Sequence, residues 1–226
     1  MKLICLGDSI MAEYNVTTYP QMGWVQMLKI FFKKDLEIYN FGVCKMSTRT
    51  CFEYGQFDKA LKVMDNDSYV VINFGHNDRL EFREERYVTL EQFKTNLNIM
   101  IDKAQEKGST PILCTPTNIL KLDDDGNLLK DNMGGYPQVV RDVAKEKNVL
   151  LVDFYTELFD LFTKLGYENS KRLVMTFDEN IYYNFINGDN DSHLRHDGAY
   201  EVARMFVKKL IEVEHPLSKY LVGKIN

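Results

Sequence analysis

Ser9 stands in the stretch "GDSIM", directly after an apolar run that begins at Leu3. A serine hydroxyl is a weak nucleophile until a base takes its proton, so chemistry at Ser9 needs a histidine within hydrogen-bond reach. The chain holds four histidines. His215 follows the last helical pattern in "EVEHPLSK" and reads as a surface residue. His76 shares the rim with Ser9 but comes immediately after a strand pattern, where its neighbours read as positioning groups. His193 and His196 share an acidic loop, residues 188–199, in which a carboxylate can orient an imidazole. Spacing alone leaves that pair open.

Acyl transfer also requires donors aimed at the developing oxyanion. The backbone N–H of Ser9 at a strand-to-helix turn is one, helped by the positive end of the following helix. The side-chain amide of Asn77 is a natural second, and a third is expected from the loop after Gly42. Plainer readings exist for each residue. Ser9 can be a helix cap at a strand end, and Asn77 and Asp78 can be turn residues. Function is favoured for Ser9 and Asn77, structure for Asp78.

Five short apolar runs can carry these loops: residues 3–7, 36–42, 69–75, 111–115 and 149–154. Runs this short and this apolar suit strands covered on both faces, as in a parallel sheet. Helical patterns lie between them. Residues 23–34 place Trp24, Met27, Leu28 and Phe31 on one face, with Trp24 read as a core anchor rather than a sugar platform. Residues 90–108 repeat apolar positions at three and four spacing behind a capping box of Thr89 and Gln92. Residues 136–148 and 197–213 form two more, the last with Asp197 as its expected N-cap. Strands alternating with helices indicate an α/β fold, and no linker or repeat divides residues 1–226, so a single domain is expected. Ligands of such sheets bind beyond the carboxyl ends of the strands, so the loops at Ser9, Gly42 and Asn77 should share one rim. The aromatic residues of "ENIYYNFING", just before the histidine loop, can wall the cleft or join the core.

Composition excludes several classes. The net charge of -5 offers no footprint for nucleic acid or an anionic membrane surface. No apolar stretch reaches bilayer-spanning length. Cys5, Cys44, Cys51 and Cys114 lack metal-ligand spacing, and Cys5 and Cys114 read as buried free thiols. No metal or cofactor is expected. The first strand begins almost at Met1, leaving no room for a secretory signal, and cytoplasmic residence is expected.

"GDS" after the first strand, "GHND" after the third and "HLRHDGA" before the last helix together resemble the SGNH/GDSL hydrolases. Within them the rhamnogalacturonan acetylesterase type is the nearest likeness, through "YPQMGW", "STRT", "TPTNILKLDDDGNL" and "YPQVVRDVAKEKNVLLVDF". The resemblance runs from Leu3 to about Leu210 and is carried by three motifs in order, not by "GDS" alone. The G-x-S-x-G elbow of the α/β-hydrolases is absent.

The resemblance implies a flavodoxin-like three-layer αβα sandwich with a five-stranded parallel sheet. It implies a serine esterase acting on O-acetyl groups of a sugar, with a small-molecule or oligosaccharide ester as substrate. Ser9 is then the nucleophile, and His193, five residues before Gly198, is the base where His196 does not fit. Asn77 falls on the oxyanion asparagine, with Asp8, His76 and Asp78 supporting. Two positions depart from the pattern. The expected triad aspartate is Asn190, flanked by Asp189 and Asp191, with Asp191 preferred and Asn190 an alternative orienting group. The oxyanion glycine is Lys45, whose backbone N–H can donate equally if its φ/ψ is accessible. The rival functions are a lipolytic or thioester-cleaving hydrolase and a weakened carbohydrate-binding homologue. A flavin module is disfavoured, because "GDSIMAEY" turns bulky too soon to hold a phosphate.

Overall fold

The computed structural model describes residues 1–185 and 190–223, with the side chains of Asn190 and Asp191 outside the description. The chain runs through β1 (Lys2–Gly7), α1 (Trp24–Leu28), β2 (Glu37–Asn40), α2 (Thr48–Glu53), α3 (Gln56–Leu61) and β3 (Ser68–Asn73). It continues through α4 (Leu90–Glu106), β4 (Thr110–Cys114), α5 (Tyr136–Lys147), β5 (Leu150–Val152), α6 (Phe154–Leu165) and α7 (Tyr167–Ser170). A short pair, β6 (Val174–Met175) and β7 (Asn190–Leu194), precedes α8 (His196–Glu212).

Five strands form one parallel sheet in the order β2-β1-β3-β4-β5, the architecture the apolar runs imply. Side chains alternate across it, because successive Cβ atoms of a strand point to opposite faces. Leu3, Cys5, Val71, Ile112 and Val152 pack on one side with Trp24, Phe154, Phe162 and Phe206 from α1, α6 and α8. Ile4, Leu6, Val70, Ile72 and Leu113 pack on the other with Phe57, Phe93, Leu97 and Val140 from α3, α4 and α5. Each fully buried side chain of this size contributes about 1.5–3 kcal/mol, which makes the helix–sheet–helix layering the dominant source of stability. Trp24 is completely buried, its ring edge-on to Phe154 at 5.3 Å and its Nε1 donating to Asn73 Oδ1 at 3.3 Å. It is a core anchor.

Several local expectations change. The helix expected over 23–34 stops after Leu28. Beyond it, Val222 N donates to Phe31 O and Lys33 N to Tyr220 O, so pairing with the C-terminal segment replaces helical bonding. Thr89 caps α4 by accepting from Gln92 N at 3.3 Å, which is the forward half of the expected box. The N-cap of α8 is Arg195, not Asp197, which lies inside the first turn. Arg195 N donates to Leu173 O and so carries strand-like pairing up to the helix start. Gly198 has a packing cause: a Cβ there would stand 2.0 Å from that same Leu173 carbonyl oxygen.

Candidate active site

Neighbouring strands β1 and β3 deliver Ser9 and Asn77 to one rim of the sheet. Ser9 lies in a single turn, closed where Met11 N and Ala12 N donate to the Asp8 carbonyl, both at 3.1 Å. Asp8 Oδ1 accepts from Ile10 N at 2.9 Å and Tyr14 Oη donates to Ser9 O at 2.9 Å. The helix expected after Ser9 is absent, the next α-helix being α1, so no helix field acts at its amide. The turn itself orients Ser9.

His193 stands on β7, a strand where the sequence reads as a loop. β7 pairs antiparallel with β6 across an irregular register, and Leu194 O accepts from Met22 N at 3.0 Å. Held from both sides, the strand places His193 Nε2 2.9 Å from Ser9 Oγ. His196 points elsewhere: its Nε2 pairs with Asp197 at 2.8 Å and its ring stacks on Tyr19. His215 caps the turn after α8 and packs on Tyr69 at the start of β3, near the opposite end of the sheet. Of the open histidine pair, His193 is the one in contact with Ser9. Asp189 lies outside the described residues, as do the side chains of Asn190 and Asp191, although β7 carries the latter two.

The oxyanion side is tied together from three loops. Asn40 Nδ2 donates to Met11 O at 2.8 Å and its Oδ1 accepts from Gly42 N, binding the end of β2 to the Ser9 turn. A Cβ at Gly42 would come within 2.8 Å of Met11 Cβ, so this glycine permits close approach. Lys45 has φ +65, the left-handed conformation that glycine tolerates most readily. Asn77 Nδ2 donates to Met46 O at 3.0 Å, and its second amide hydrogen is available for another acceptor. Asp78 turns away from the rim, its Oδ1 accepting from Thr48 N at 2.8 Å and Thr48 Oγ1 at 2.6 Å, which fixes the start of α2. Tyr136 Oη donates to the carbonyls of Asp78 and Val88, closing the same loop.

Burial sets the proton affinities. It pushes His193 down to about 4 and, with Arg79 and His193 nearby, His76 down to about 3, so both imidazoles are neutral at ordinary pH. A neutral imidazole can accept the Ser9 proton. His76 Nε2 lies 2.9 Å from Thr117 Oγ1. Burial raises Asp8 to about 7 and Asp78 to about 6, and each keeps one carboxyl oxygen buried without a hydrogen-bond partner.

A cavity of about 450 Å³ opens over Ser9 and His193, within the size range of small-molecule sites. Lys45, His76 and Asn77 line it, together with Tyr14, Gln21, Arg79 and Arg86, which sequence reasoning did not single out. Arg79 directly follows "GHND" and could have been found by that adjacency; Arg86 has no comparable signal. Tyr182 packs against Tyr19 and Phe177 and accepts from Arg195, forming an aromatic cluster beside β7. Among the described residues, no group of three or more His, Cys, Asp or Glu side chains can hold a metal ion. Among them, too, no helix is long and apolar enough to cross a membrane.

A five-stranded parallel sheet covered by helices on both faces defines the flavodoxin-like type of fold, and its carboxyl rim brings a serine and a histidine into contact. The chain belongs to the GDSL-like lipase/acylhydrolase family, whose model matches residues 5–173, and is a carboxylic ester hydrolase by class. That match ends before β7 and so does not reach His193. The chain is 28% identical to the rhamnogalacturonan acetylesterase RhgT of Bacillus subtilis strain 168, over 99% of this chain and 95% of that one. The crystal structure of the protein YxiM of Bacillus subtilis superposes with a TM-score of 0.81 at 23% identity, over 95% of this chain and 57% of the other. The acetylxylan esterase Axe2 of Geobacillus stearothermophilus superposes with a TM-score of 0.66 at 18% identity, over 92% and 93%.

Proposed function

We propose that the protein is a serine esterase that removes O-acetyl groups from carbohydrate, with a pectic, rhamnogalacturonan-type oligosaccharide as substrate. The observation that carries this reading is the 2.9 Å contact of Ser9 Oγ with His193 Nε2 on the wall of the cavity. The likeness to RhgT over nearly both whole chains supports the substrate class. Ser9 Oγ attacks the acetyl carbonyl while His193 Nε2 takes its proton. The tetrahedral oxyanion is held by the N–H groups of Ser9 and Lys45 and the side-chain amide of Asn77. As the intermediate collapses, the bond to the sugar oxygen breaks and His193 returns the proton to that oxygen, leaving acetyl-Ser9. Water then attacks the acetyl-enzyme with His193 taking its proton. The bond between the acetyl carbon and Ser9 Oγ breaks as His193 returns that proton to Oγ, and acetate leaves with the free enzyme restored. Asp191 orients His193 through its Nδ1, with Asn190 and Asp189 the alternatives.

Incubation with a fluorophosphonate followed by peptide mapping tests the nucleophile: the adduct is expected on Ser9, and a folded protein without it overturns the serine-hydrolase reading. Comparing p-nitrophenyl acetate with the octanoate tests the acyl group, since a strong octanoate preference contradicts a sugar deacetylase. Separate Asp191→Asn, Asn190→Ala and Asp189→Asn variants identify the orienting group.

A further inference from the structure

Every charged side chain among the described residues that line the cavity is a cation: Lys45, Arg79 and Arg86. They gather there although the chain as a whole carries a net charge of -5. Arg86 is the least expected of them. Only 9% of it is exposed, its Nε has no hydrogen-bond partner, and its ion pair with Glu85 spans 3.6 Å to a largely hydrated carboxylate. Burying a charged guanidinium nitrogen without close compensation is costly, and a ligand carboxylate at this wall would relieve that cost.

The segment that carries Arg86 is braced. Arg49, on α2, donates to the carbonyls of Glu84 at 2.9 Å and Tyr87 at 3.3 Å, on either side of Arg86. Val88 N donates to Asp78 O at 2.9 Å, fastening the segment to the loop that presents Asn77. Arg86 is therefore held in fixed relation to the oxyanion donors, as a preorganised recognition group must be. A planar guanidinium matches a carboxylate better than any neutral sugar hydroxyl.

We infer that Arg86, with Lys45 on the same wall, is a carboxylate subsite that selects acetyl esters carried on uronate-containing chains over esters of neutral sugars. This rests on the esterase reading of the same cavity and adds the residue that reads the sugar's charge. The test measures acetate release from an acetylated oligogalacturonide and from the same oligosaccharide with its carboxylates converted to methyl esters. For the wild type, kcat/KM on the acid form is expected to exceed that on the methylated form by about 10- to 100-fold, the range of a charge-assisted hydrogen bond. The ratio should fall toward one in Arg86→Gln, mainly through KM, and recover in part in Arg86→Lys. Should Arg86→Gln not fold, salt decides the matter in the wild type: added NaCl should raise KM for the acid form alone. Equal turnover of the two forms by the wild type, or a ratio unchanged in a folded Arg86→Gln, overturns the subsite. A wild type that hydrolyses neither these substrates nor p-nitrophenyl acetate overturns the esterase reading instead. In that event calorimetry of unacetylated oligogalacturonide binding still judges the subsite: tighter binding of the acid than of the methylated chain supports it, and equal binding overturns it.

Discussion

Two imidazoles line one cavity, and each meets a hydroxyl at the same distance. His193 Nε2 lies 2.9 Å from Ser9 Oγ, and His76 Nε2 lies 2.9 Å from Thr117 Oγ1. Burial lowers the proton affinity of both histidines. What separates the pairs is the setting of the hydroxyl. Ser9 faces the cavity beside Asn77 and Lys45, whereas Thr117 is 1% exposed and is not among the cavity's lining residues. An imidazole against a hydroxyl thus does not by itself define a nucleophile. Access for substrate and donors for the oxyanion do.

Substitutions on the two sides should give opposite patterns. Ser9→Ala or His193→Ala is expected to lower kcat on p-nitrophenyl acetate by on the order of 10⁴-fold, with the melting temperature nearly unchanged. Thr117→Val should leave kcat within about threefold yet cost about 1–3 kcal/mol of stability, because it strands a buried imidazole nitrogen. Steady-state rates and denaturant melts on the same samples check both halves. Large activity loss in Thr117→Val would erase the distinction between the pairs. Removing a donor comes next in size. Asn77→Ala should reduce kcat by about 10²–10³-fold with little change in KM, as expected for a group engaged in the transition state. An effect confined to KM would place Asn77 in ground-state binding.

Proton affinity sharpens the comparison further. His193 must be neutral to accept from Ser9, and burial lowers it to about 4 from an ordinary value near 6.5. Activity should therefore hold through neutral pH and fall on the acid side with a midpoint at about 4, measured as kcat/KM against pH. A midpoint at or above 6.5 would mean that a carboxylate beside His193 outweighs burial, and an upward shift lost in Asp191→Asn would identify it. His76 contributes to stability with a definite sign. Its folded affinity, at about 3, lies below the unfolded value, so the unfolded state takes up a proton first. Its own contribution is complete above about pH 6.5 and is lost as the pH falls toward 3, whereas the raised carboxyls of Asp8 and Asp78 act with the opposite sign.

The sheet was legible because its strands are short, nearly continuous apolar runs alternating with helical patterns, as suits a parallel sheet covered on both faces. Ser9, Asn77 and the shared rim followed from that arrangement. The strand character of β7 did not, because "NDSHL" has no apolar alternation and its pairing with Val174 and Met175 depends on chain brought from a distance. For the same reason the choice of His193 over His196 needed either a family resemblance or the fold. The turn after Ser9 was misread as a helix start: Asp8 caps one turn, and the chain then leaves for α1. Arg86 was invisible because what marks it is burial and the grip of Arg49 on its neighbours, and both are tertiary.

Lys45 offers the smallest effect and tests why its side of the cavity tolerates a departure from glycine. Its φ of +65 costs a residue with a Cβ about 1–2 kcal/mol relative to an ordinary right-handed conformation. Glycine escapes that cost but gains freedom in the unfolded chain, which offsets part of the benefit. Lys45→Gly should therefore raise stability by at most about 1 kcal/mol, while Lys45→Ala, equally strained, should not. Paired urea melts of the two variants read the difference directly. If alanine stabilises as much as glycine, the cost at this position lies in the crowding of three cations around one cavity and not in the backbone. The same melts at high salt would then show the advantage of both variants shrinking, since screening removes repulsion among charges but leaves φ untouched.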